Sequence, residues 1–363
     1  MGLLKVNGVI DLDQFWTSGQ SDADTVHVKL TDPFLFQSFP NQLFQPTTAL
    51  DHAEMHNKPV VHKDRNTGAK SITVRLQGID APELHYQPQA PANLSAAVKA
   101  HQAAFHQQAK DYRQPYGETA TVELAKWLRN TYGQQPLPCV VTTQVDTPNE
   151  VFDAYGRFIG TIFIPDPHGN EPVPTDDGQE TIPATDVNLH IVQQGWAFPT
   201  FYSSMTNGEI VPLLQAATQA QAQRLGVWGL YQDHIDPLDT DLIYDRPTQG
   251  HTPIYNAAND AGEVIFPKLF RRLCVYTALK KAGIITMTFK EYLQSERDFG
   301  FLLSEFLDQG PTASTPHTLD EFLDDNNGTD INGTLTGQPY TFVFQEKPSS
   351  LHDGNTGQII KTW

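Results

Sequence analysis

The segment Val74 to Glu83, VRLQGIDAPE, sets one arginine and two acids at fixed offsets within ten residues. A guanidinium at Arg75 suits a phosphate, a carboxylate at Asp80 suits a metal ion, and a carboxylate at Glu83 suits a base. Two other clusters carry compatible chemistry. Asp22-Ala23-Asp24-Thr25-Val26 puts two acids ahead of the alternating run His27, Val28, Lys29, and paired carboxylates suit a hard cation. Asp153-Ala154-Tyr155-Gly156-Arg157 opens the apolar run Phe158 to Ile164 with a tight turn that delivers a second arginine. In isolation, each cluster reads equally well as a surface turn with solvated charges.

The elements around these residues must position them. Ser71 to Ile79 alternates apolar residues at Ile72, Val74 and Leu76, the period-2 pattern of a half-buried strand, and Gly78 and Pro82 mark its end. Pro82 fixes its own φ and biases Ala81 towards extended backbone, which holds the two flanking carboxylates near one another. The same patterning predicts strands at Leu4 to Leu12, Ala23 to Leu30, Leu137 to Val145 and Tyr155 to Ile164, with a helix at Glu118 to Asn130 between the third and fourth. Five short strands with one interrupting helix fit an α+β fold built on a small closed barrel of the OB type.

In this order, the DADT, RLQGIDAPE and YGR segments resemble the staphylococcal nuclease family, whose site combines a DxDT, an RLxxxDxPE and a YGR segment. The resemblance extends to Asp186–Gly195, DVNLHIVQQG, read as a short helix capped by Asp186 and stopped by Gly195. It continues through a helix over Glu209 to Gly226 and the closing Val227-Trp228-Gly229, covering residues 4 to 231 in all. The family independently implies the five-stranded OB-type barrel with about three helices, here followed by a mostly helical C-terminal extension.

The resemblance also implies a division of labour. Asp24, Asp80 and the backbone carbonyl of Ala81 would hold Ca2+, with Asp22 standing behind these ligands. Arg75 and Arg157 would grip the scissile phosphate through the planar guanidinium fork, and Glu83 would orient or deprotonate the attacking water. A glutamate at its ordinary pKa of roughly 4.3 is a weak base, so cations would carry most of the barrier reduction. Tyr155 and Tyr202 are substrate-binding candidates, the second from loose correspondence of Phe198 to Tyr202 with the family's tyrosine-rich segment. Ala154 stands where the family often has lysine, which removes one positive charge, and Ala81 stands where it usually has threonine.

Residues 1–234 are expected to form the barrel domain, with insertions at 31–70 and 84–117, and residues 235–363 a separate region of unknown function beginning near Gln232 to Thr240. Phe34, Phe36, Phe39 and Phe44 in the first insertion either stack on bases or fold back on the barrel, the second reading being favoured. His85, His101 and His106 in the second lack a zinc spacing. In the C-terminal region, Phe266 to Ala282 reads as a helix whose Lys268, Arg271, Arg272, Lys280 and Lys281 either grip nucleic acid or form a solvated face, the second reading being favoured, and Thr288 to Gln309 as a second helix. Asp324–Gly333, DDNNGTDING, lacks the spacing of an EF-hand and reads as a turn. Tyr340 to Phe344 reads as a strand.

The 363 residues carry 24 Lys and Arg against 42 Asp and Glu, a formal charge of −18, and such a field repels polyanions at long range. Binding to DNA or RNA is therefore expected to be weak, calcium-assisted and salt-sensitive, with single strands or frayed ends favoured over intact duplex. The two cysteines, Cys139 and Cys274, make a disulfide framework improbable. No apolar run is long enough to span a membrane. Cytoplasmic location is the default expectation, with a secreted form lacking its removed signal left open. The leading functional expectation is a calcium-dependent nuclease. The alternatives are a catalytically weak or inactive nuclease-like module that binds nucleic acid or protein, and a role in which the C-terminal region engages a protein partner.

Overall fold

The computed structural model of the chain describes residues 2–12, 22–39, 43–133, 136–165, 173–174, 181–182, 184–231, 262–324, 334–335, 341–346 and 350–360. At its centre, five strands close into a barrel: β1 (Gly2–Ile10), β2 (Thr25–Leu30), β3 (Lys70–Leu76), β4 (Leu137–Val145) and β5 (Phe158–Pro165). Their spatial order is β1-β2-β3-β5-β4 and back to β1. β1 runs antiparallel to β4 from Gly2 opposite Val145 to Ile10 opposite Leu137. β2 runs antiparallel to β3 with Thr25 opposite Arg75, and β5 runs parallel to β3 with Ile159 opposite Arg75. Closure satisfies the backbone groups that an open sheet would leave at its edges.

Alternation is what drives these strands together. Leu4, Val6, Val26, Val28, Ile72, Val74, Val141, Ile162 and Ile164 are all buried, and each fully buried aliphatic side chain contributes roughly 1.5–3 kcal/mol. α1 (Ser95–Ala100) and α2 (Gln102–Gln108) lie in the second insertion, and α3 (Gly117–Tyr132) crosses between β3 and β4. α4 (Val187–Gln193) is capped by the Asp186 carboxylate, which accepts from the Leu189 N–H at 2.9 Å. α5 (Asn207–Ala222) starts at a capping box in which Thr206 and Glu209 bond each other's backbone. A short 3-10 turn, Gly226–Gly229, then buries Val227 and Trp228.

The first insertion thickens the barrel wall. Phe34–Ser38 pairs with β1 and with Gln45–Thr47, Phe34 is buried and stacked on Phe158, and Phe36 packs against the same core. These two rings fold back on the barrel. In the second insertion His101 and His106 are exposed and His85 is half-buried.

The C-terminal region holds α6 (Pro267–Lys281), α7 (Phe289–Glu296) and α8 (Leu303–Gln309). The single helix expected over Thr288 to Gln309 is therefore two. Arg297 takes a left-handed backbone at φ 53° and stops α7, and Phe299–Leu302 leaves it as a strand paired with Phe342–Phe344. Phe342–Phe344 also pairs with Phe201–Tyr202, and His352–Asp353 pairs with Ala53–Met55. One apolar cluster runs from Leu4 through Phe198 and Phe266 to Phe344. Among the described residues, no helix is long and apolar enough to cross a membrane. The expected boundary at 232–240 and residues 325–333 lie outside the described residues.

Candidate active site

Register explains why residues from three segments meet. Thr25 and Ile159 flank Arg75 on the neighbouring strands, so Asp24 and Arg157, each just ahead of its strand, are delivered beside it. The loop after β3 is held from both sides. The buried Asn188 amide donates to the carbonyls of Gln77 and Gly160 at 2.8 and 3.2 Å, tying the end of β3 to β5. Ile79–Asp80 pairs with Phe198–Pro199, and Gly78 takes φ +77° at the turn between them. Glu83 donates its N–H to the Gln114 side chain at 3.0 Å and accepts the Gln114 N–H at 2.7 Å. A Cβ on Gly117 would fall 2.5 Å from the Glu83 carbonyl oxygen, so the missing side chain lets α3 begin against this loop.

The charged groups form one connected network. Asp24 and Asp80 are fully buried, and Glu83 is nearly so. Arg75 bridges the two aspartates, reaching Asp24 through Nη1 and Asp80 through Nη2 at 2.6 Å. The second oxygen of Asp24 accepts the Ala81 N–H at 2.8 Å. Arg157 is held by Asp153 at 2.7 Å and approaches the Thr25 hydroxyl at 3.5 Å, while that hydroxyl bonds Asp24 at 3.1 Å. The Tyr155 ring is 79% exposed and lies 5.4 Å from the Arg157 guanidinium. Tyr202 is half-buried, packed on Phe344 and under the electrostatic influence of Asp80 and Arg75.

A further cation enters from outside the expected domain. Arg271 of α6 is bidentate to Asp80, with Nη1 to Oδ1 at 2.9 Å and Nη2 to Oδ2 at 2.8 Å, and its Nη1 also contacts Glu83. Burial alone would raise the Asp80 carboxyl, but Arg271 and Arg75 outweigh it and hold the group down at about 2. Glu83 stays above its ordinary value because burial exceeds the opposing pull of Arg271. Asp22 is raised well above its usual range, first by burial and then by the charge on Asp24. A buried carboxyl beside an ionised one favours its neutral form.

Asp24 and Asp80 are carboxylates of the right type for a hard cation, yet both oxygens of each are committed to guanidinium, hydroxyl or backbone N–H donors. Among the described residues, no group of three or more His, Cys, Asp or Glu side chains is placed to hold a metal ion. As arranged, the residues do not fit calcium, and an ion entering between Asp80 and Glu83 would have to displace Arg271.

Arg271 and Arg272, expected on a solvated face, have side chains only 23% and 20% exposed, and both are paired with acids. The readable signal was the rest of α6. Leu269, Phe270, Leu273, Cys274, Val275, Tyr276, Ala278 and Leu279 surround the helix with apolar surface, and an arginine carried into such an environment has to be paired. Gln114, which links the Glu83 loop to the Ile265 carbonyl at 3.0 Å, left no comparable signal.

No curated protein matches the chain. Residues 73–229 match the family model for staphylococcal nuclease homologues, a span that contains Arg75, Asp80, Glu83, Tyr155, Arg157 and Tyr202 and leaves Asp22, Asp24 and Arg271 outside it. Members of this family are generally nucleases, commonly bind nucleic acid and typically use calcium. Over residues 73–229 the chain is similar to the staphylococcal nuclease homologues, and the closed barrel is the fold which that similarity leads one to expect.

Proposed function

We propose that the chain hydrolyses phosphodiester bonds of DNA or RNA, with single strands as the preferred substrate. The observation that carries this reading is the convergence of three segments onto one end of the barrel: Arg157 meets Arg75 and Asp80 through Thr25 and Asp24, and Glu83 joins Asp80 through Arg271. Arg157, 29% exposed, is the guanidinium best able to turn a donor towards a phosphate oxygen, with Tyr155 beside it as a surface for the adjoining nucleotide. In hydrolysis the water oxygen forms a bond to phosphorus, one ester P–O bond breaks, a water proton passes to Glu83 and from it to solvent, and the leaving alkoxide takes up a proton from solvent. The raised Glu83 carboxyl is better matched to accepting that proton than an ordinary glutamate. Arginine donors matter most if they tighten as charge gathers on the phosphoryl oxygens.

A labelled single-stranded oligonucleotide incubated with purified protein tests the reading. Cleavage by the wild type that is lost in both Glu83→Gln and Arg157→Ala supports it, and equal cleavage by all three preparations would assign the activity to a contaminant. One observation favours a second reading, a binding module without chemistry: Glu83, the base, is already paired with Arg271. That reading requires oligonucleotide binding that survives Glu83→Gln, with no cleavage by the wild type.

A further inference from the structure

Arg271 is not a stray surface arginine. Its guanidinium meets both oxygens of Asp80 and one of Glu83, the two carboxylates that would otherwise face each other across the site. The helix that carries it is held at its start and through its first turns. Ile265, just ahead of α6, is held through its carbonyl by Gln114, whose other side-chain atom accepts the Glu83 N–H. Phe266 packs edge-on against Phe198, the residue paired with Asp80. Next along the helix, Arg272 is clamped by Asp298 at 2.6 and 2.9 Å and by Glu296 at 2.9 Å. On its buried side, Phe270, Leu273 and Cys274 lie in the core. Arg271 is thus carried by a packed helix and not by an exposed loop.

We propose that Arg271 is a built-in cation of this site, taking both oxygens of Asp80, an expected calcium ligand, and one of Glu83, so that catalysis requires no added metal. Arg271 acts through the two carboxylates, as a positioning residue. It neutralises Asp80 and fixes the orientation of Glu83, while Arg75 and Arg157 remain the phosphate ligands. Guanidinium is suited to the task because its planar fork matches a carboxylate with two parallel hydrogen bonds and keeps its charge at any working pH. The proposal rests on the phosphodiesterase reading above.

Wild type, Arg271→Met and Arg271→Lys would be assayed on the same single-stranded oligonucleotide in chelator and in millimolar calcium chloride, and titrated with calcium chloride alone by calorimetry. The wild type is expected to cleave equally with chelator and with calcium and to show no saturable calcium binding. Arg271→Met is expected to lose about 100-fold in chelator, to recover on the order of tenfold with calcium, and to acquire saturable calcium binding. Arg271→Lys keeps a cation in place and is expected to stay insensitive to chelator. Should Arg271→Met fail to fold, wild type and Arg271→Lys decide the matter, because dependence on calcium in either overturns the proposal. A wild type that needs calcium, with Arg271→Met more active than wild type in its presence, also overturns it and makes Arg271 a brake. If no preparation cleaves, the phosphodiesterase reading fails, and calorimetry still judges Arg271: calcium binding gained only by Arg271→Met supports its place as the resident cation, and its absence refutes it.

Discussion

Arg157 and Glu83 do different work and are expected to fail differently. Arg157 sits partly in solvent, its backbone and side chain organised by Asp153, so truncation removes a phosphate donor and little packing. Arg157→Ala is expected to lower kcat/KM about 100-fold while changing the unfolding free energy by less than about 1 kcal/mol, measured by steady-state cleavage and urea titration. Glu83 is buried with its carboxyl raised above 4.5. As a base it acts when deprotonated, so kcat/KM should rise with pH along a limb centred above 4.5, and Glu83→Gln should lower the rate and abolish that limb. A pH profile in which Glu83→Gln keeps the limb would remove Glu83 from the base's role. The cost of burying Asp24, Asp80 and Glu83 also explains why two arginines, Arg75 and Arg271, pair with them, since an unpaired buried charge is strongly destabilising.

The elements that deliver these residues are specified by short-range signals, and each can be perturbed alone. α5 begins at the Thr206–Glu209 capping box, and its Ile210 and Leu213 are buried, with Leu213 next to the turn at Gly78. Thr206→Ala should cost about 1 kcal/mol of stability, read as a lower urea midpoint with unchanged m-value. Asp186 caps α4 ahead of Asn188, the residue that stitches β3 to β5. Burial pushes its carboxyl from 3.8 up to about 6 despite opposing backbone hydrogen bonds from Leu189 and Asn188. The folded state thus holds a proton there that the unfolded state releases, and stability is full below pH 3.8 and falls as pH rises to about 6. Asp186→Asn retains a capping oxygen and should flatten that part of the stability–pH curve. An unchanged curve would show that Asp186 is not the group responsible.

At the scale of the molecule, the C-terminal region completes the barrel's core and its charge balance. Phe266 and Phe344 stack on one another, Phe266 covers Phe198, and Phe342–Phe344 adds a strand beside Phe201–Tyr202. A chain ending at residue 231 should therefore lose cooperative thermal unfolding and bind a hydrophobic dye, whereas a sharp melt would show that residues 1–231 fold unaided. The sequence marks the five strands locally, as in Ser71 to Ile79, while periodicity alone leaves their topology open and the ordered motifs imply the closed barrel. It also determined Asp24, Arg75, Asp80, Glu83 and Arg157 as the residues to watch, since their motifs lie at the mouths of those strands. Only the tertiary structure decided what neutralises them. Arg271 lies 188 residues beyond Glu83, its partners are unrelated to it by any spacing, and its place depends on how α6 packs against Phe198 and Gln114. Pattern reading sees a basic helix there. Burial converts the same residues into paired cations, because a guanidinium carried into the core by its apolar neighbours has to find a carboxylate.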